Sequence, residues 1–381
     1  MILFLEQCLY KQKNNLIFFK ISAFFFSYFS VTAVYVIFVP KMLQIVGYST
    51  MQIGIVFALA PLMRFLVPFL FLKHIKLTKK IFYIALLTMF FGAFLSYLTI
   101  ENFYAFMLPN MLIGAAGGLV LPYIETYAME HLGKKRFGKS RLYGSIGFMA
   151  IGIVLARELD NYITGLNYYT FFIIVMIIFS LLITYDNNDF KQKIENDERF
   201  KLKKVTYLWI SLFFMQISFG AFYNFFTIYE TSRGISLETV SYLWAFGVIC
   251  EILFFYFQSP LLKLNLLKIL KFSVFITIIR WLLLFLFPES LLISFVAQSF
   301  HAVSFALHHT VAISFLYSVY QNKKLAAQFY YGFSFGLGGF IGALLAGYFY
   351  GDYLYLYASF MALLSFIALF KVSPTLLKQN S

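Results

Sequence analysis

Charge is scarce in this chain of 381 residues. Only 12% of positions are charged and only 16 residues are acidic, whereas soluble domains carry about a quarter charged residues. A water-facing surface cannot be built from so little. Cysteine is nearly missing as well. Cys8 and Cys250 stand far apart and match no disulfide framework or metal spacing. No HExxH pair occurs, and the histidines at 301, 308 and 309 fit no usual ligand spacing. No metal and no cofactor are therefore expected. There is no soluble nucleotide domain, so ATP drive is not expected either.

What remains is apolar: 61% hydrophobic residues, 22% aromatic, 51 of them Phe. Lipid accepts such side chains on every outward helix face. A spanning helix takes about 20 residues, so twelve would use roughly 240 and leave short connections. Apolar stretches bounded by charges or turn residues fall at 16–39, 50–72, 81–100, 103–127, 141–160, 168–185, 207–229, 238–258, 269–287, 290–317, 326–349 and 353–371. The first is too long for a signal-peptide core and lacks a cleavage site, which predicts that it is kept as a helix.

The net charge of +14 does not point to nucleic acid, because the basic residues sit in clusters between spans. One set of loops holds the N-terminus, Lys73–Lys80, Lys134–Arg141, Lys191–Lys204, Lys263–Lys271, Lys323/Lys324 and the tail. It takes 25 of the 30 basic residues; the opposite set holds Lys41, Arg157 and Arg233. This bias predicts that the first set, and with it both termini, is cytoplasmic. The expected location is the inner, cytoplasmic membrane, with the lipid bilayer as surroundings and the chain a monomer.

The longest polar stretch, 186–206, reads as a solvated linker between two bundles, 1–185 and 207–381. A weak repeat supports that division. At an offset of 187, Gly47–Ser49 falls on Gly234–Ser236 and Arg64 on Glu251; near 188, Tyr143–Gly144 falls on Tyr331–Gly332. Transporters built of two such halves bind substrate at mid-membrane between them.

Charges inside lipid are costly and usually line a cavity. Six titratable positions stand out: Arg64, Glu125, Glu251, Arg280, His301 and His309, with Arg141 at the start of span five. Glu251, Arg280 and His301 lie at similar depth in spans eight, nine and ten, about 10 to 14 residues from a span end. An acid, a fixed cation and an imidazole at one depth suit a proton relay. Alternatively, Arg280 simply neutralises Glu251 and locks two helices. His301, Ser304, Phe305 and His308 share a helical face, so either His308 or His309 can face the cavity. Glu125 and Arg141 flank the loop joining spans four and five and either pair or cap a hairpin. Arg64 either faces the cavity or snorkels to the surface. Tyr28, Tyr223 and Asn224 are further lining candidates. Glycines crowd spans four, five and eleven, where small residues let helices approach closely.

The stretch Phe137–Gly–Lys–Ser–Arg141–Leu–Tyr–Gly–Ser145 resembles the motif that opens span five in the lactose permease and its relatives. Arg64–Phe65–Leu66, Tyr242–Gly247 leading to Glu251, Ile279–Arg280–Trp281, and His301 followed by His309 resemble the 3-phenylpropionate permease branch of the major facilitator superfamily. The resemblance implies two six-helix bundles, alternating access and solute–proton symport. By matching motif, Glu125 and Arg141 resemble the substrate-binding pair, and Glu251, Arg280 and His301 the coupling groups. Two departures stand out: Ser304 occupies the position of the relatives' proton-carrying glutamate, and the loop signature after span two is degraded to Lys73–Lys80.

The function expected is thus a proton-coupled carrier of a small organic solute, without catalytic residues. Arg64, Arg280 and the aromatic residues suit an aromatic carboxylate such as 3-phenylpropionate; Glu125 with Arg141 suits a sugar or nucleoside. A channel would need a continuous charged pore. The alternative from another class is a membrane-embedded transferase using His301 and Glu251.

Overall fold

In the computed structural model the described residues are 2–74, 78–185, 205–258 and 260–372. They form helices and short connections. In chain order these are α1 (Ile2–Val46, carrying a π-helical turn at Val34–Phe38), α2 (Thr50–His74), α3 (Lys79–Thr99), α4 (Phe103–Gly133), α5 (134–158), α6 (Tyr162–Thr184), α7 (Thr206–Ser232), α8 (Leu237–Phe257), α9 (Leu266–Leu286), α10 (Leu291–Val319), α11 (Leu325–Tyr348) and α12 (Leu354–Phe370). Among the described residues ten helices are long and apolar enough to cross a membrane, and α12 is a shorter apolar helix. The chain is a multi-pass membrane protein. The linker expected at 186–206 lies outside the described residues as far as position 204, as do 75–77 of the loop after span two.

Helix starts follow side-chain chemistry. The first amide groups of a helix lack intrahelical acceptors, and a short polar side chain at the cap supplies one. Thr78, Asn102, Asn161, Ser236, Asn265, Ser290 and Asn322 each accept from the backbone N–H three residues on. Gly47 and Gly234 close α1 and α7 in the left-handed region, at φ 101° and 87°, where only glycine sits without strain. These are the two glycines of the 187-residue repeat. Each is followed by a serine that caps the next helix, Ser49 through Gln52 and Ser236 through Thr239.

Two expectations change. Spans four and five are not joined by a loop: the chain stays helical through 103–158 and breaks only at Gly133. Glu125 and Arg141 therefore sit on helices rather than on loop shoulders. The seventh span also runs to Ser232 rather than 229, which places Glu230 inside it.

Glycines set the close contacts. A Cβ on Gly147 would lie 2.3 Å from the Phe26 carbonyl oxygen, and one on Gly144 would lie 2.5 Å from the Phe29 ring, so α5 packs backbone-close on α1. A Cβ on Gly220 would lie 2.3 Å from the Gly342 carbonyl between α7 and α11, and one on Gly54 would lie 2.8 Å from the Ala343 carbonyl oxygen between α2 and α11. Helices α1 to α6 pack mainly on one another, as do α7 to α12; α2 against α11 and α5 against α8 join the two groups.

The joining contacts include α2 against 331–338 of α11 as well as contacts at the end opposite the basic loops. At that end Arg157 Nε donates to Glu238 Oε1 at 2.8 Å and Arg157 Nη2 to the Tyr242 hydroxyl at 2.7 Å. Lys41 Nζ reaches Thr231 Oγ1 at 3.4 Å, and Phe148 packs on Trp244 with ring centroids 6.1 Å apart.

Candidate functional site: a charged cavity between the halves

In the first half, Arg141 Nε lies 3.2 Å from Glu125 Oε1, with both side chains about a third exposed. The Arg141 guanidinium lies over the Phe29 ring at 4.3 Å and the Phe25 ring at 5.4 Å, a cation–π arrangement that holds its plane. Gly144, which lacks a Cβ where Phe29 approaches, makes this stacking possible. Tyr28 stands beside Phe29 and within electrostatic range of Arg64, Glu125 and Arg141. Arg64 is exposed and also lies within electrostatic range of the buried Tyr35 and Tyr169. It has no hydrogen-bond or ion-pair partner among the described residues.

In the second half, Arg280 is fully buried. Its Nη1 lies 3.0 Å from His301 Nδ1 and donates to Ser304 Oγ at 3.0 Å; its Nη2 donates to Gln298 Oε1 at 3.3 Å. Phe222 and Trp281 hold the guanidinium at 4.4 and 4.5 Å from their ring centroids. No carboxylate lies within ion-pair distance of Arg280 among the described residues. The charge connects instead through an imidazole. Because a guanidinium can only donate, His301 Nδ1 must accept, and the ring proton sits on Nε2. That nitrogen faces Glu251 Oε2 at 3.7 Å. The reading in which Arg280 itself neutralises Glu251 therefore gives way to a chain Arg280–His301–Glu251 whose outer member is the more exposed.

The two charged groups face each other. Arg141 lies within electrostatic range of Glu251 and of His309, and Tyr331 within range of Glu125 and Arg141. His309 Nε2 lies 3.2 Å from the Tyr331 hydroxyl. Along α10, which carries a π-helical segment at Ala302–Leu307, His301, Phe305 and His309 stack in one column, with centroids 5.2 and 6.2 Å apart. This places His309 rather than His308 toward the cavity. His308 is buried with Nε2 unpartnered. Tyr223 stacks on Phe219 and lies near His301 and Phe305. Asn224 spends its amide on the Gly220 carbonyl of its own helix at 2.7 Å.

Two buried polar residues escape a reading of the sequence. Gln298 holds Arg280; its neutral amide gives no charge signal, although Gly247 opposite it leaves the room it needs, a Cβ there lying 2.9 Å from Gln298 Oε1. Glu230 is fully buried and takes hydrogen bonds from Ser294 Oγ at 3.3 Å. Among the described residues no three His, Cys, Asp or Glu side chains gather as a metal group would. Gly133–Ser140 spells the letters of a phosphate loop, G-x-x-x-x-G-K-S, but follows a helix and is itself helical from 134, so it forms no cradle.

This arrangement of helices is found again in known proteins. Residues 18–362 match the MFS_1 like family. The chain belongs to that family of the major facilitator fold. It is 24% identical over 352 residues to the "Probable 3-phenylpropionic acid transporter" of Escherichia coli (strain K12), covering 86% of this chain and 89% of that one. To the "Uncharacterized transporter YwbF" of Bacillus subtilis (strain 168) it is 23% identical over 332 residues, covering 82% and 81%. Among solved structures the nucleoside transporter NupG superposes with a TM-score of 0.76 at 16% identity over 94% of this chain and 100% of that one. A D-xylose-proton symporter superposes at 0.72 and 12% identity over 96% and 98%; at such identities the likeness concerns the fold. This member of the family is a membrane transporter of small molecules, not an enzyme, and the embedded-transferase alternative on His301 and Glu251 falls away.

Proposed function

We propose that the chain is a proton-coupled symporter of a small organic solute, working by alternating access between bundles 1–185 and 207–381, with 186–206 as their linker. The observation that carries this reading is the relay Arg280–His301–Glu251 facing the Arg141–Glu125 pair. Glu251 is joined to Arg280 through His301 and lies within electrostatic range of Arg141, so protonating Glu251 changes the charge that both guanidiniums face. Proton binding and solute binding then depend on each other through one cavity. Because Ser304 cannot carry a proton as a carboxyl does, Glu251 is the carrier, with His301 as its contact and His309 beside the inner mouth. The basic loops and both termini face the cytoplasm of the inner membrane, so the end where Arg157 pairs with Glu238 is external. The working unit is a monomer.

Charge balance bears on the solute. The cavity holds three guanidiniums, Arg64, Arg141 and Arg280, against two carboxylates, Glu125 and Glu251. Arg64 lacks a partner among the described residues. An aromatic monocarboxylate supplies the missing charge, with Arg64 and Arg141 as its anion contacts and Tyr28, Tyr223 and Asn224 around its body. A sugar or nucleoside is the second reading, resting on the hydrogen-bonding pair Glu125–Arg141. The test is a thermal-shift screen of aromatic acids, sugars and nucleosides, since a ligand of the native state raises its apparent stability. Uptake of the best ligand into proteoliposomes follows. Accumulation under an inward proton gradient, lost with a protonophore, is expected; equal movement with the protonophore present refutes symport.

A further inference from the structure

Away from the cavity, the lipid-facing side of the first half has a groove of about 370 Å³ between α1, α5 and α6, lined by Phe18, Ser22, Phe26, Tyr143, Phe172 and Phe179 among others. Its walls are almost wholly apolar; only Ser22 and Tyr143 bring hydroxyls to them. Ser22 is buried and its hydroxyl has no hydrogen-bond partner. The other serine and threonine hydroxyls of α1 are spent: Ser27, Ser30 and Thr32 donate to the carbonyls of Ala23, Phe26 and Tyr28. A buried, unused hydroxyl costs free energy, and here it belongs to a residue of the groove wall.

The rim of the groove at the basic face is cationic. Arg136 lies over the Phe18 ring at 5.1 Å and donates to Asn15 Oδ1 at 2.9 Å. Lys20 reaches the Leu182 carbonyl at the end of α6 at 2.8 Å. Lys139 is exposed one turn from Arg136 and one turn from Tyr143 on the same face of α5. No carboxylate pairs with Arg136, Lys139 or Lys20 among the described residues. Ser22 lies seven residues into the helix from Asn15, about 10 Å below it. That depth matches the glycerol-ester level beneath a headgroup held at the rim.

We propose that this groove is a binding site for one anionic phospholipid of the leaflet at the basic face. The acyl chain fills the aromatic groove, Ser22 donates to an ester oxygen, and Arg136, Lys139 and Lys20 hold the phosphate. Basic pockets between helices at this level are suited to acidic headgroups, each nearby Lys or Arg contributing about 1 kcal/mol.

The full-length protein is reconstituted in nanodiscs containing phosphatidylglycerol and phosphatidylcholine in equal amounts, then washed in detergent. Retained lipid is measured by native mass spectrometry. The wild type is expected to keep one phosphatidylglycerol in preference to phosphatidylcholine. Arg136→Gln is expected to lower that preference about fivefold. Ala23→Phe fills the groove without touching a charge and is expected to lose the retained lipid of either kind, while the melting temperature shows that the variant is folded. Equal retention of both lipids by the wild type overturns the proposal, as does unchanged retention by folded Arg136→Gln and Ala23→Phe. A dimer that Ala23→Phe dissolves assigns the groove to a second copy of the chain and overturns it too.

Discussion

Arg280 is the residue on which the second half is organised. It is fully buried, and every hydrogen bond it makes goes to a neutral group. Removing one acceptor leaves a buried charge partly unsatisfied, at a cost of about 1–3 kcal/mol. Gln298→Ala is therefore expected to lower the melting temperature of the purified protein clearly, although no charge is changed. Gly247→Ala acts at the same place by crowding Gln298 Oε1, so the double variant is expected to melt above the level that adding the two losses gives. Strict additivity in the melting curves would contradict a shared mechanism. The charged members of this network are legible in the sequence because charge in an apolar span is conspicuous. Gln298 is not, since a neutral amide leaves no such mark. Glu230 escapes for another reason: it sits in the last turn of α7, where an apolar run gives no sharp end. That His301 stands between Arg280 and Glu251 depends on side-chain reach across three helices, which span depth alone does not contain.

The helices show why small residues are not equivalent. A Cβ on Gly117 would meet nothing within 4 Å, whereas one on Gly220 would meet the Gly342 carbonyl at 2.3 Å. Gly220→Ala is expected to cost about 1–3 kcal/mol by forcing α7 from α11. Gly117→Ala is expected to be within about 0.5 kcal/mol of the parent. Denaturant melting of both variants checks this, and equal losses would contradict it. The glycine clusters are visible in the sequence, but which glycine carries a crossing is not. The π-helical turns in α1, α10 and α11 are equally hidden, because a one-residue widening leaves the apolar pattern intact. In α10 it is His309, not His308, that joins the ring column and reaches Tyr331, the choice that periodicity leaves open. Such turns are frequent at functional sites, and all three fall in helices that meet the cavity or its walls.

At the scale of the whole molecule, the multi-pass helical architecture and the paired turns at Gly47 and Gly234 follow from apolar length, loop charge and the weak repeat. The conformation does not, since both ends of a carrier are encoded in one sequence. The end opposite the basic loops is held by Arg157 with Glu238 and Tyr242, and by Lys41 with Thr231. Such exposed pairs are worth about 0–1 kcal/mol each. Arg157→Ala is therefore expected to raise the population open at that end by up to about fivefold. A Phe148→Cys reporter, buried against Trp244, is expected to react correspondingly faster with a thiol reagent added from that side; an unchanged rate would contradict the latch.

Proton coupling through Glu251 is tested most directly by comparing Glu251→Gln with the parent in proteoliposomes, in two modes on the same preparation. One is uptake driven by a proton gradient; the other is counterflow of labelled against unlabelled solute without a gradient. With Glu251 as the proton carrier, the variant loses gradient-driven accumulation and keeps counterflow. Accumulation at the parent level by Glu251→Gln would contradict that role.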